Sequence, residues 1–563
     1  MALDSSVAPP QRRVLPALLG LLLGMFVSML ASTVVSTSLP VIVHDLDGDQ
    51  AVYTWVVTAT LLTTAISTPI WGKLADLFNR KLLIQIAISI FVLATAAAGF
   101  SQNPEMLITF RAVQGLGAGG LAALSQVIMA DIISPRERGR YMGLFGAVMA
   151  VATVGGPLLG GLITDAFGWR WNFFVALPFA VAALILQQRT LHLPKHPPRK
   201  VRIDYLGIVF LAAAVSLLLI WITNAGQNYE WASTETLLMV GGATLATILF
   251  IVTELRVPEP LIPLNLFRNA TFTLAVIASI ATGLAMFGTS VYLSQYMQLA
   301  RGASPTEAGL LTIPMIAGLL IASIVVGALI TRFGKWKSFL IVGAALLIAG
   351  SFLLSTIHYD TSFVLVGIYM FLLGAGVGMT MQNLVLIVQN TAEPTELGVA
   401  SSGVAFFRSV GGTVGVSVMG ATVAASVTSL LSDRKEELGA AIASLGPDGA
   451  AVADTLQSGA LPQVSALPEV VRVIFEDVYA TSIAHAFLIA VPVAVLSLVA
   501  IVFLPNRPLT RMTTAERIAA SEADLATVST AEGMSALAAT GPVPTADQHA
   551  HRTRRGRDLG EDG

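Results

Sequence analysis

Two arginines fall inside apolar stretches long enough to cross a bilayer, and no Asp or Glu stands near the middle of any such stretch. Arg111 lies about six residues into one run and Arg408 about ten into another, positions where a charge is expensive unless it is paired, hydrated or functional. A guanidinium there holds an anionic or dipolar group, helps pass a proton, or bonds backbone carbonyls; for Arg111 the structural alternative is carbonyls of span 1 or span 5. Gln114 sits one turn from Arg111 on the same helix face and extends its polar track. A second set lies at segment ends. Asp76 and Arg80 are four apart in a turn, and Asp131 closes the run that begins near Arg111. A carboxylate is stabilised at a helix N-terminus, and an Arg–carboxylate pair is directional. A third set is soft or neutral: Ser32, Thr33 and Ser36; Tyr292 and Gln295; Met379, Met381, Gln382 and Asn383. Such side chains suit a cavity wall that accepts variable ligand shapes, with helix packing or lipid contact as the alternative for each. With Asp131, Asp165, Asp204, Glu254, Glu307 and Asp360 all at ends, the interior is net positive. That favours a neutral, zwitterionic or anionic ligand over a permanently cationic one.

Composition removes several classes of function. Of 563 residues 55% are apolar and 12% charged, about half the usual charged fraction, as in an integral membrane protein. The net charge of −2 gives no case for nucleic-acid binding. There is no cysteine, no metal-ligand cluster, no nucleophile–base spacing and no phosphate loop, so no metal, cofactor or enzyme chemistry is expected and ATP is not the energy source.

The elements that must position these residues are fourteen apolar segments of spanning length, an all-α integral membrane fold. The first begins near Val14 and lacks a cleavage site, so it is a span and not a removed signal. Lysines and arginines concentrate in alternate connections, such as Lys73, Arg80 and Lys81, or Arg136, Arg138 and Arg140. The opposite connections hold only Arg170, Arg301, Arg434, Lys435 and Arg472, so both termini are expected in the cytoplasm. Organisation follows: a six-helix bundle at 14–190, a basic linker with two inserted helices at 191–255, a second six-helix bundle at 271–505, and a disordered tail at 506–563. The second bundle contains a long external loop, 426–479, in which 468–478 has the spacing of a short surface helix or hairpin.

The fifth segment carries Gly155, Gly156, Pro157, Gly160 and Gly161. In lipid the helix is kept and kinks at the proline, and the glycines admit a neighbouring helix closely. Relatives of this stretch and others recur one half-chain later. Gly115, Gly117 and Gly119 match Gly374, Gly376 and Gly378; Pro135 and Gly139 match Pro394 and Gly398; Thr153, Gly155 and Gly156 match Ser409, Gly411 and Gly412. Both copies start on one side of the membrane, so they are parallel repeats, an arrangement that encloses a site near the midplane and rocks around it.

These motifs resemble the major facilitator superfamily, and within it the fourteen-span drug:proton antiporters. The run at 72–81 resembles the signature between spans 2 and 3. Arg111 with Gln114, Gly115, Gly117 and Gly119 resembles the span 4 arginine motif, and the Gly-Pro stretch around Pro157 the antiporter motif of span 5. Trp169 to Phe173 resembles the start of span 6. The resemblance implies multidrug or antibiotic efflux across the plasma membrane by alternating access and proton antiport. It implies no cofactor, and as partners a small amphipathic substrate, protons and membrane lipids, with a monomer as the default. It also implies that Asp76, Arg80 and Asp131 latch the outward-facing state, with the start of span 13 near Gly398 as the helix end that Asp76 meets. Two departures stand out. Asn79 replaces a glycine whose left-handed turn it can supply, and Ala31 stands where an acid is typical. The alternatives are a specific metabolite or lipid exporter without proton coupling and, more remotely, a receptor or scaffold.

Overall fold

The computed structural model describes residues 14–46, 50–191, 193, 203–225, 229–303, 305–393, 396–446, 467–510 and 516. Residues through Thr513 fall in one compact unit, and the second unit, Thr514–Gly563, is described only at Glu516. The start of the expected disordered tail is corrected: the Arg507 and Pro508 carbonyls accept from Trp336 and Asn390, and Leu509 is buried against the second half. The rest of that tail, Glu516 apart, lies outside the described residues. Among the described residues there are helices and no named strand, with one isolated bridge between Ala225 and Tyr229.

Helices stand at all fourteen expected places. The first half is α1 (Val14–Asp45), α2 (Gln50–Leu77), α3 (Arg80–Gly99), α4 (Pro104–Ile132) and α5 (Pro135–Phe167), then a sixth span broken into α6 (Trp171–Phe174) and α7 (Ala176–Thr190). The inserted pair is α8 (Tyr205–Asn224) and α9 (Thr234–Glu254). The second half is α10 (Ala270–Gln295), extended by a π turn over Tyr296–Ala300, α11 (Pro305–Leu311) with α12 (Ile313–Phe333), α13 (Lys337–Leu354), α14 (Phe363–Thr391), α15 (Leu397–Asp433), the short α16 (Lys435–Ser444) and α17 (Glu469–Phe503). Twelve segments of the described residues are long and apolar enough to cross a membrane; α2 and α5, of 28 and 33 residues, are not among them. Leu237 is 73% exposed and Phe503 70%, as side chains facing hydrocarbon are.

Helix starts follow from local chemistry. Asn103 caps α4 by accepting the Met106 amide, with Pro104 at the first turn, and Asp204, Ser233 and Asn269 cap α8, α9 and α10 in the same way. Asn79 corrects one expectation. Its backbone is extended (φ −64°, ψ 111°), and its side chain accepts the Lys81 and Leu82 amides, so it serves as the N-cap of α3 and not as a left-handed turn. The external loop is a second correction. α15 runs on to Asp433 and α16 follows, while 468–478 is the first part of the 35-residue α17. Val471, Ile474, Phe475 and Val478 repeat at helical spacing and are buried against the second half, and nothing breaks the helix after them. Arg434 ties α15 to α17 through Asp477 at 2.5 Å. Residues 447–466 of that loop lie outside the described set.

The packing of the two halves repeats. α1 lies on α5 and α7 as α10 lies on α15 and α17; α4 lies on α2 and α3 as α14 lies on α12 and α13. Glycines make these approaches possible. A Cβ on Gly115 or Gly119 would strike α2 at Thr60, Thr63, Thr64 or Ser67, and one on Gly374 or Gly378 would strike α12 at Met315 or Leu319. Gly117 meets α3 at Ala87 and Phe91, as Gly376 meets α13 at Gly343 and Leu347. Between the halves, α5 packs on α12 and α2 on α15. The inserted helix α8 packs on both α2 and α15, with Leu211, Val215 and Leu219 clustered against Ile66, Ile70 and Phe406.

Candidate functional site

At the end of the bundle where α2 turns into α3, called the inner end below, charged side chains join the halves. Asp76 accepts the backbone amides of Gly398 at 2.9 Å and Val399 at 3.0 Å, so its carboxylate sits on the N-terminus of α15. A helix end with free N–H groups and a partial positive charge favours that placement. Arg80 bonds Asp76 at 3.3 Å, Asp131 of α4, and the Ala75 carbonyl at 2.8 Å. All three side chains are nearly buried. Gly72 lets the backbones close: a Cβ there would strike Ser402 and stand 2.9 Å from the Gly398 carbonyl.

A second inner contact involves a residue that sequence reasoning treated only as an inner charge. Arg138, 1% exposed at the start of α5, bonds the Gln389 side chain of α14 and the carbonyls of Ala130 (3.1 Å) and Ile133 (3.0 Å). Gln389 in turn donates to the Gln126 carbonyl at 3.3 Å and to Ser401 at 2.9 Å. The one signal in the sequence was its place inside the repeated Pro135–Gly139 element. Removing the guanidinium takes a charged donor from the Gln389 oxygen and from two carbonyls, so Arg138→Ala is expected to destabilise the inner-closed form by about 2–4 kcal/mol, read as a lower thermal midpoint than wild type.

Arg111 lies 2% exposed in α4, and its partners are not in span 1 or span 5. Nε points at the Val56 carbonyl of α2 at 3.4 Å, and Nη1 donates to Gln114 at 2.7 Å. Gln114 passes the chain on to Thr95 of α3 at 2.7 Å. The glycines of α4 bring α2 and α3 to this face, which places those two helices and not α1 or α5 within reach.

Arg408, 8% exposed in α15, is different: Nη1 is buried with no hydrogen-bond partner among the described residues. Gly283 of α10 makes room for it, since a Cβ there would strike the Arg408 carbonyl and stand 3.0 Å from its Cγ. Gln382 Oε1 and Asn383 Oδ1 of α14 are also buried acceptors without a donor, although the Asn383 amide nitrogen bonds the Met379 carbonyl at 2.7 Å.

The remaining candidates divide. Thr33 bridges α1 to α5 through the Ala152 carbonyl at 3.0 Å, a packing position, and Ser32 is half-buried on the same helix. Met379 packs its Cβ on Gly343 of α13, and Met381 belongs to the apolar core of the second half. Tyr292 donates to the Val416 carbonyl at 2.7 Å and lines a 1040 Å³ cavity between α8, α10 and α15, together with Tyr229, Trp231 and Ser417. Burial, then the Glu235 charge, holds the Tyr229 phenol above its ordinary range, so it stays a donor. Gln295 is half-buried one turn from Tyr292. The side chains of Ser36 and Pro157 and the surroundings of Gly161 lie outside the described set; α1 is helical through Ser36 and α5 through Pro157 and Gly161.

In α5, Gly156 and Gly160 abut Thr33 and Val34 of α1, whereas nothing stands within 4 Å of a Cβ on Gly155. Gly155→Ala is therefore expected to leave the stability within about 0.5 kcal/mol of wild type. Gly160→Leu, forced into the Val34 backbone, is expected to lose about 1–3 kcal/mol or fail to fold, and a thermal-shift assay separates them. A further polar cluster was missed by the sequence analysis: Asn172 of α6 donates to Ser38 at 2.6 Å, to Thr164 at 2.7 Å and to the Gly160 carbonyl at 3.4 Å, tying the Gly-Pro helix to α1.

Residues 21–416 match the family model of the Major Facilitator Superfamily. The chain belongs to that superfamily. Like its relatives it is a multi-pass membrane transporter and not an enzyme. An uncharacterised MFS-type transporter of Mycobacterium tuberculosis is 38% identical over 473 residues, 84% of this chain and 67% of the relative. The multidrug transporter protein MdtP of Bacillus subtilis is 35% identical, over 71% of this chain and 73% of its own. In structure the proton:xylose symporter XylE shares the fold, with a TM-score of 0.57, 14% identity, and coverage of 89% of this chain and 99% of that one.

Proposed function

We propose that this transporter exports small amphipathic drugs or antibiotics across the plasma membrane by proton antiport and alternating access. The observation that carries this is the inner latch, in which Asp76 of one half caps α15 of the other while Arg80 holds Asp76 to Asp131. Such a contact has two discrete states, made and broken, as alternating access requires. With it made, the inner end is shut and a bound compound leaves outward. The multidrug name of MdtP supports the substrate class. The protein spans the membrane fourteen times as a monomer, two six-helix bundles at 14–190 and 271–505 flanking the inserted pair, with both termini cytoplasmic. Arg111, linked to Gln114 and Thr95, serves the proton-linked transition.

The substrates are neutral, zwitterionic or anionic in preference to quaternary ammonium compounds, because the buried interior charges are Arg111 and Arg408. Everted vesicles energised by an acid interior test this. Anionic and neutral dyes are expected to accumulate and to be released by a protonophore, and a quaternary ammonium dye is not. Accumulation of the quaternary dye alone would reverse the charge preference, and accumulation indifferent to protonophore would remove the coupling.

A further inference from the structure

The inserted helices close at the inner end on two buried carboxyl groups that no transport step above uses. Asp204 caps α8, its Oδ1 accepting the Gly207 amide at 2.8 Å. Glu254, the last residue of α9, accepts the Leu261 amide on Oε1 and the Ile262 amide on Oε2, each at 3.2 Å. Asp204 is 7% exposed and Glu254 4%. A Cβ on Gly207 would strike Asp204 Oδ2 and stand 2.9 Å from Glu254 Oε1, so both oxygens border one point beside a residue that has no side chain. Asp204 Oδ2 is buried and has no hydrogen-bond partner among the described residues.

Two ionised carboxylates this close and this buried repel, and one of them gains by holding a proton. Both oxygens of Glu254 accept N–H donors, and Asp204 Oδ2 has no donor among the described residues, so one proton shared by the pair supplies the O–H donor that Oδ2 lacks. We propose that Asp204 and Glu254 form a proton-binding site in the inserted pair, with one proton shared between them, whose occupancy is linked to the inner gate.

The link is built from the walls of one cavity. Glu254 lines a 460 Å³ space together with Lys73 and Asp76 of α2, Glu259 of the α9 exit, and Glu396 and Val399 at the start of α15. Lys73 is the cation that faces Glu254, and Glu259 holds it at 3.0 Å. Glu396 and Asp76 add negative charge from the two gate helices. When α15 leaves α2 the cavity loses a wall and fills with water, which favours the ionised forms and releases the proton to the inner side. When the gate closes, the pair is desolvated and takes a proton again. The site thus supplies an acid to a chain that has Ala31 in span 1, and it depends on no particular exported compound.

The test uses the full chain in lipid nanodiscs at neutral pH and infrared difference spectra in H2O and D2O. Asp204→Asn keeps the cap on α8 and supplies an N–H donor to Glu254, so it imitates the protonated pair and folds. One protonated-carboxyl band of the wild type is expected to be missing in Asp204→Asn and also in Glu254→Gln. Each variant alone carries the result if the other does not fold, and a wild-type band in either overturns the proposal. Spin labels at Phe78→Cys and Glu393→Cys, in a chain with no other cysteine, read the gate. Raising the pH through the titration of the band is expected to lengthen the wild-type distance and to leave it unchanged in Asp204→Asn. An identical pH profile in both proteins would overturn the linkage. Failure of drug export would leave both readouts intact, so the two proposals fail separately.

Discussion

Arg408→Met is expected to raise the thermal midpoint of the purified protein while cutting export of an anionic or zwitterionic compound by about 10- to 100-fold. The two effects share one cause. The guanidinium is buried in α15 with Nη1 unpaired, so the closed-inner structure bears its desolvation without a compensating bond. Methionine of similar length removes that penalty and packs along the space left by Gly283. A ligand carboxylate or carbonyl that supplies the missing partner makes a charge-assisted hydrogen bond, and its loss sets the fall in transport. Such an opposition of stability and activity marks a residue held for function. Arg408→Lys keeps the charge without the fork and is expected to fall between. Initial rates in proteoliposomes and a thermal-shift assay on the same preparations measure both. Unchanged transport in Arg408→Met would remove Arg408 from the substrate path. Gly283→Ala, which drives a Cβ into the Arg408 backbone, is expected to lower transport in the same direction.

Asp76→Ala is expected to open the inner end. It takes the acceptor from the Gly398 and Val399 amides and one of two carboxylates from Arg80. The two amide bonds join the halves, and the Arg80 bond holds Asp76 in place for them. Losing a buried charged partner is worth about 3 kcal/mol here, on the order of a hundredfold in the closed-to-open ratio. Double electron–electron resonance between labels at Phe78→Cys and Glu393→Cys reads it as a shift of the main distance to a longer one. Asp131→Asn is the internal comparison. Asp131 braces Arg80 within the first half and crosses no interface, so its effect on the distance is expected to be smaller. A short, wild-type distance in Asp76→Ala would show that apolar packing of α2 on α15 closes the gate without the carboxylate.

Much of the architecture is legible because the features that make it are local and repeated. Glycines at 115, 117 and 119 recur at 374, 376 and 378, and each set meets the equivalent neighbours, since a helix without side chains on one flank has few ways to pack. The Asp76 contact with α15 is legible only through the family motif, because the amides that donate to it lie more than three hundred residues away. What the sequence hid was decided by tertiary contact. Arg138 has the composition of a solvated inner charge and becomes buried because Gln389, 251 positions on, comes to it. Arg111 looked toward α1 or α5 and found α2 and α3 instead. By its spacing alone the start of α17 reads as a separate surface element, because span length stops the membrane helix short of it. A helix packed on protein beyond the membrane obeys no such limit.

Substrate-evoked proton movement in proteoliposomes tests the proposed export mechanism most directly. Purified protein is reconstituted with a pH dye inside and challenged with neutral, anionic and cationic drugs, and Arg111→Ala is run beside it. Proton flux evoked by neutral or anionic drugs and lost in Arg111→Ala is the expected result. It would mean that antiport operates with Ala31 in span 1. Drug movement without proton movement would contradict antiport and leave a facilitator on the same fold.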